Sequence, residues 1–127
     1  MGAWSTGPWD NDTAADWFGN MMEKTGLATY VEETLRRPID EDEPWVAEEI
    51  RAAASVLVLM GHIFVWPGDD WERHLNLAIA RLEEMLASDY GVSSHEQIRA
   101  EIALLRSRLE NRGKYPGENL KWWHFDE

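Results

Sequence analysis

The chain has 127 residues, enough for one domain with its own apolar core, and carries 24 acidic against 12 basic side chains for a net charge of −12. A field of that sign repels phosphate backbones and anionic lipid and attracts cationic proteins, so it disfavours nucleic acid and favours a basic partner. The absence of cysteine excludes disulfides and thiolate metal sites, and no apolar run reaches the ~18 residues that a membrane span needs.

Residues 1–12 read as an irregular arm rich in turn formers. Pro8 fixes its own φ and pushes Gly7 to extended geometry. Asp10 or Asp12 is then placed to cap a first helix, with Trp9 as a hydrophobic staple if the cap is Asp10. That helix runs from about residue 13 to 25, with Ala14, Trp17, Phe18, Met21 and Met22 on one face and Gly26 ending it. A shorter helix over 28–37 turns Tyr30, Val31 and Leu35 inward and stops at Pro38. It carries Glu32/Arg36 and Glu33/Arg37 as i,i+4 ion pairs. Asp40, Glu41, Asp42 and Glu43, between Pro38 and Pro44, form a solvated acidic loop.

Pro44 suits the first turn of a third helix. Val46, Ile50, Ala53, Leu57, Met60 and Phe64 make its seam. From Ala52 onward the opposite face is apolar too, which marks a central, buried element. Trp66-Pro67-Gly68 reads as a turn, and Asp69-x-x-Glu72 as a capping box opening a fourth helix. The fourth helix buries Trp71, Leu75, Ala78, Ile79, Leu82, Met85 and Leu86, and Asp89-Tyr90-Gly91 closes it. Ser93 and Ser94, with Glu96 and Gln97, offer caps for a fifth helix whose seam is Ile98, Ile102, Leu105 and Leu109. Residues 96–121 hold 4 acidic against 6 basic side chains, whereas 1–95 hold 18 against 6, so the last helix is mildly basic and the rest strongly acidic. Short loops make sequential helices antiparallel neighbours. The expected fold is all-α: a single domain of four to five antiparallel helices over 13–112, an arm over 1–12, and an aromatic tail over 113–127.

The opening Met1-Gly2-Ala3-Trp4-Ser5-Thr6-Gly7-Pro8-Trp9-Asp10-Asn11-Asp12, followed by Ala14, Ala15 and Asp16, resembles a bacterial family called Domain of Unknown Function 4259. Its members begin M-G-A-W-G-x-G-x-F-x-N-D. The likeness continues more loosely over Ala52 to Leu57. Ser5 stands where Gly is usual, and Trp9 stands where Phe is usual, which keeps an aromatic anchor. The resemblance implies a small helical bacterial protein and transfers neither an activity nor a catalytic residue.

Few constellations carry chemistry. Gly2, Trp4, Gly7, Trp9, Asp10 and Asp12 form the sharpest local pattern. Its structural reading has the tryptophans plugging the bundle while the glycines let the backbone pass closely; its functional reading is a ligand or partner contact. His62 and His74, with Asp69, Asp70 or Glu72 nearby, have the residue types of a His/carboxylate metal site but none of its usual spacings. A helix-end histidine and a surface histidine are the plainer description. There is no G-x-S-x-G elbow, P-loop or G-x-G-x-x-G, so no catalytic residue and no cofactor is assigned. Asp40 to Glu43 lacks EF-hand spacing. Helical spacing places Trp17, Trp45 and Trp71 in the core or at its edge. Trp122 and Trp123 are adjacent and cannot both face inward. Either the tail wraps on the bundle or it presents an aromatic anchor.

The leading functional expectation is a non-enzymatic, immunity- or antitoxin-like interaction module. It would bind a basic protein through Asp40, Glu41, Asp42, Glu43, Trp122 and Trp123. One alternative is a metal-dependent or small-molecule-binding enzyme using His62, His74 and Asp70. Another is a structural protein that self-associates through its tail tryptophans. The first residues lack the basic-then-apolar layout of a signal peptide, so the expected location is the cytoplasm.

Overall fold

Asn11 begins the fold by capping the first helix: its side-chain oxygen accepts the Ala14 N–H at 2.7 Å. The expected cap at Asp10 or Asp12 is thereby corrected. Asp12 is instead the first helical residue, where its carboxylate faces the positive end of the helix dipole. The computed structural model describes residues 11–40, 42–62, 65–88 and 95–110. They form five helices: α1 (Asp12–Thr25), α2 (Leu27–Leu35), α3 (Trp45–Met60), α4 (Gly68–Ala87) and α5 (His95–Glu110). Residues 1–10 of the arm and residues 111–127, which include the whole tail, lie outside the described residues. So do Gly2, Trp4, Gly7, Trp9, Asp10, Glu41, Trp122 and Trp123.

Gly26 serves two helices at once. With φ of 67° it sits in the left-handed region, donating to the Met22 carbonyl at the end of α1 while its own carbonyl accepts the Tyr30 N–H inside α2. α2 ends at Leu35, two residues before the expected stop. Pro38 disfavours helical geometry at Arg37, and the chain tightens through an Arg37 N–H to Thr34 carbonyl bond. Glu32 and Arg36 pair as expected, at 2.8 Å, but Arg37 pairs with Glu49 of α3 rather than with Glu33. The Asp40 carboxylate accepts the Asp42 N–H and the Asp40 carbonyl accepts the Glu43 N–H, leaving Asp40, Asp42 and Glu43 exposed.

α3 is the central element, packed against α2, α4 and α5. Val46, Ala47, Ile50, Ala53, Ala54 and Leu57 are its buried residues. Gly61 ends it, and a Cβ there would collide with the Leu57 carbonyl oxygen. α4 begins at Gly68, one residue before the expected cap, so Asp69 and Asp70 lie in its first turn and no side chain caps it. Its seam of Trp71, Leu75, Ala78, Ile79, Leu82 and Met85 is buried as expected. Ile98, Ile102 and Leu105 of α5 close the core.

Side-chain bridges give the helix directions. Arg51 to Glu101 and Arg108 to the Val58 carbonyl join α3 and α5 with the same sequence separation of 50, so these two helices run parallel. His74 to Glu32 and Arg81 to the Arg37 carbonyl, separated by 42 and 44, do the same for α2 and α4. Four helices therefore alternate in direction, with α1 against α2. Among the described residues there is no strand, and no helix is long and apolar enough to cross a membrane.

Candidate functional site

Two buried polar centres and one exposed face are the places where this bundle departs from apolar packing. In the first centre, Trp66 precedes α4, His74 stands on α4 and Glu32 on α2. The Trp66 indole N–H donates to His74 Nδ1 at 3.0 Å, and His74 Nε2 lies 2.8 Å from a Glu32 carboxylate oxygen. An indole can only donate, so Nδ1 must accept, and the imidazole carries its proton on Nε2 and gives it to Glu32. The other Glu32 oxygen accepts from Arg36 and Arg73, and Arg73 reaches on to Asp70. The His74 bond, then Arg36, hold the Glu32 carboxyl well down, to about 2, against partial burial.

This wiring settles what His74 is able to do. The expected surface histidine is 1% exposed, with both ring nitrogens engaged. Its effect is to join α2 to α4. The sequence did contain a sign of this. His74 lies three residues after Trp71 and four before Ala78, on the buried stripe of α4. Glu32 lies four after Ala28 and three before Leu35 on that of α2.

The second centre lies between the end of α3 and α5. His62 is 5% exposed, and burial and then the charge of Arg108 push it down to about 3, opposed by a backbone hydrogen bond at Leu59. Arg108, one turn after Leu105, is 4% exposed and donates to the Val58 carbonyl at 2.8 Å; burial pulls its guanidinium down to about 10. No carboxylate of the described residues pairs with it. The expected trio of His62, His74 and Asp70 is thus distributed over different partners: Asp70 meets Arg73, His74 meets Glu32, and His62 feels Arg108. Among the described residues, no three His, Cys, Asp or Glu side chains are placed to hold a metal ion.

The exposed face belongs to α1, α2 and α3. Trp17, Tyr30 and Trp45 are 60, 69 and 51% exposed, which corrects the inward placement expected for Tyr30 and the core or core-edge placement of the two tryptophans. The same segment of the chain is rich in carboxylates. Asp12, Asp16, Glu23, Glu33, Asp40, Asp42, Glu43 and Glu48 pair with no cation among the described residues; Arg36, Arg37, Arg51, Arg73, Arg81 and Arg106 are each engaged by a carboxylate, and Lys24 at the end of α1 and Arg99 on α5 are not. Between α2 and α3 this face holds an apolar groove of about 300 Å³. Leu27, Tyr30, Val31 and Thr34 line it from α2, and Ala52, Ala53 and Val56 from α3, with the Arg37–Glu49 ion pair at one end.

No curated protein and no solved structure matches the chain. A family model described as Domain of unknown function (DUF4259) matches residues 2–66, a segment that contains α1, α2, α3, the exposed aromatics and the groove. That match spans just over half of the sequence, and the chain belongs to this family.

Proposed function

We propose that this protein is a non-enzymatic interaction module that binds a basic protein through the α1–α3 face. One observation carries the reading: most of the carboxylates left without a cation among the described residues lie on or between α1, α2 and α3, the helices that also hold three exposed aromatic side chains, whereas α4 and α5 have only Asp69, Glu96 and Glu110 in that state. Both features cost something in an isolated protein. Unpaired like charges repel one another, and exposed aromatics forgo their burial energy. A cationic partner relieves both at once, by neutralising Asp16, Glu33, Asp40, Asp42, Glu43 and Glu48 and by covering Trp17, Tyr30 and Trp45. Aromatic anchors within a charged rim are the usual source of binding energy in protein interfaces, and opposite charge speeds encounter.

The immunity- or antitoxin-like character follows from the same features, since such proteins act by occupying a cationic target. The experiment is affinity capture of tagged full-length protein from its own organism at low and high salt, with mass spectrometry. A basic protein retained at low salt and shed at high salt is the expected result. Recovery of no basic protein at low salt overturns the reading.

A further inference from the structure

The groove between α2 and α3 has a shape that narrows the partner. Its α2 wall consists of residues 27, 30, 31 and 34, and its α3 wall of 49, 52, 53 and 56. Each set follows the i, i+3, i+4, i+7 spacing by which a helix packs against another helix. Val31 and Ala53 belong to the core and form the floor of the groove, while Leu27, Tyr30, Ala52 and Val56 carry its walls outward. Among the described residues, no other helix contributes to this groove. Ala52 and Ala53 keep the α3 wall low, so a third helix is able to approach closely, while Leu27, Val31 and Val56 supply apolar contact. Tyr30 stands up at the rim, a large side chain with a polar tip that suits the border of an interface.

The charges around the groove choose the sign of its occupant. Arg37, the one cation in the lining, is already satisfied by Glu49. Glu33, three residues after Tyr30, and Glu48, four before Ala52, are exposed and pair with no cation among the described residues. We infer that the groove between α2 and α3 seats an amphipathic, cationic helix of the basic partner, with aliphatic side chains between Leu27, Val31, Ala53 and Val56 and lysine or arginine reaching Glu33 and Glu48. This deepens the proposed function and rests on it. A helix laid in an apolar groove with charges at its border is a recurrent mode of peptide recognition.

The test uses full-length protein and three designed peptides of about 18 residues, long enough for stable contact over the groove. The first has leucines at i, i+3, i+4, i+7 and lysines elsewhere. The second has the same composition scrambled to destroy the apolar face, and the third replaces every lysine with glutamate. Binding is read by fluorescence anisotropy and located by methyl and amide shifts in NMR. The first peptide is expected to bind about tenfold or more tightly than either control, moving the Leu27, Val31 and Val56 methyls. Ala52→Arg, at an exposed position of the α3 wall, is expected to weaken it about tenfold without changing the fold, as checked by an unchanged helical circular dichroism spectrum.

Equal binding of the scrambled peptide, or shifts located elsewhere, overturns the groove assignment. So does binding of none of the three. Concentration-dependent self-association that Ala52→Arg abolishes also overturns it, by making a second copy the occupant. If Ala52→Arg leaves salt-sensitive capture of a natural basic partner intact, the groove assignment fails while the broader reading of the acidic face stands. An empty capture fails both.

Discussion

The two faces of α2 show opposite uses of the same short helix. Glu32 looks toward α4, where His74 and Arg73 take up its carboxylate together with Arg36 from the end of α2 itself. Tyr30, two residues earlier, looks away from the core and is 69% exposed. The inner face is fully wired and its polar atoms have partners from three directions. The outer face keeps an apolar groove, an exposed ring and carboxylates without cations. The contrast separates a face whose contacts hold the fold together from the face that the proposed interaction uses: changes on the inner face should cost stability, and changes on the outer face should cost association.

The largest effect is expected from His74→Leu. Leucine fills part of the ring volume but leaves the Trp66 N–H without its acceptor and Glu32 Oε1 without the donor that meets it, both in or near the core. The expected loss is about 3 kcal/mol, the usual cost of stranding buried polar groups beside a charge. Urea denaturation measures it. A loss no greater than that of an exposed α2 substitution would break the distinction between the two faces.

The pH dependence separates the two buried centres. His62 is held down to about 3 from an ordinary value of 6.5. The unfolded chain therefore gains a proton near pH 6.5 that the folded chain refuses, and stability falls as pH drops below 6.5 toward 3. Glu32 is held down to about 2 from 4.5, so its contribution is complete above 4.5 and is lost as pH falls toward 2. With its side chain about a quarter exposed, solvent screening leaves about 2 kcal/mol of that contribution. Melting temperature against pH should then decline in two stages. His62→Gln is expected to flatten the curve between 6.5 and 4.5, and Glu32→Gln to flatten it below 4.5. A wild-type curve level from pH 7 to 5 would contradict the placing of His62.

Arg108 sharpens the comparison between the centres, because it is buried as deeply as His74 yet holds only a backbone carbonyl. A buried charge without a carboxylate keeps its desolvation penalty. Arg108→Met retains the length of the side chain and removes that penalty, at the expense of the bond to Val58. The expected change is neutral to about 1 kcal/mol stabilising, whereas any loss above about 2 kcal/mol would show that the guanidinium is an essential polar anchor.

Much of this fold was readable from spacing alone. The buried stripes of α3, α4 and α5, the end of α1 at Gly26 and the Glu32/Arg36 pair all follow from 3.6-residue periodicity and capping chemistry. The misplacements share a cause. Helical spacing alone points Tyr30 inward and Trp17 and Trp45 to the core or its edge, but the positions that face the core are held by Val31, Met22 and Val46. His74 reads from the sequence as a surface histidine, and nothing in their residue types marks Glu32 or Arg108 as buried, although each of the three falls on a buried stripe. Hydrophobic pattern locates the stripe and does not say which polar residue on it will find a partner. That depends on contacts across 42 residues for Glu32 and His74, which periodicity within one helix does not contain.

The smallest expected effect on stability is also the most informative about function. Tyr30→Ala removes a ring that is mostly in water, and alanine is the better helix former, so unfolding free energy should stay within about 0.5 kcal/mol of wild type. The Thr34 hydroxyl, which donates to the Tyr30 backbone carbonyl, keeps its partner in the variant. Retention of a basic partner, in contrast, should weaken about tenfold, because the ring stands at the rim of the groove and hot-spot aromatics carry a large share of interface energy. The two measurements together discriminate sharply. A stable variant that loses its partner assigns the outer face of α2 to binding. A stable variant that binds as well as wild type would leave Tyr30 a ring exposed without consequence and shift the interface to Trp17 and Trp45.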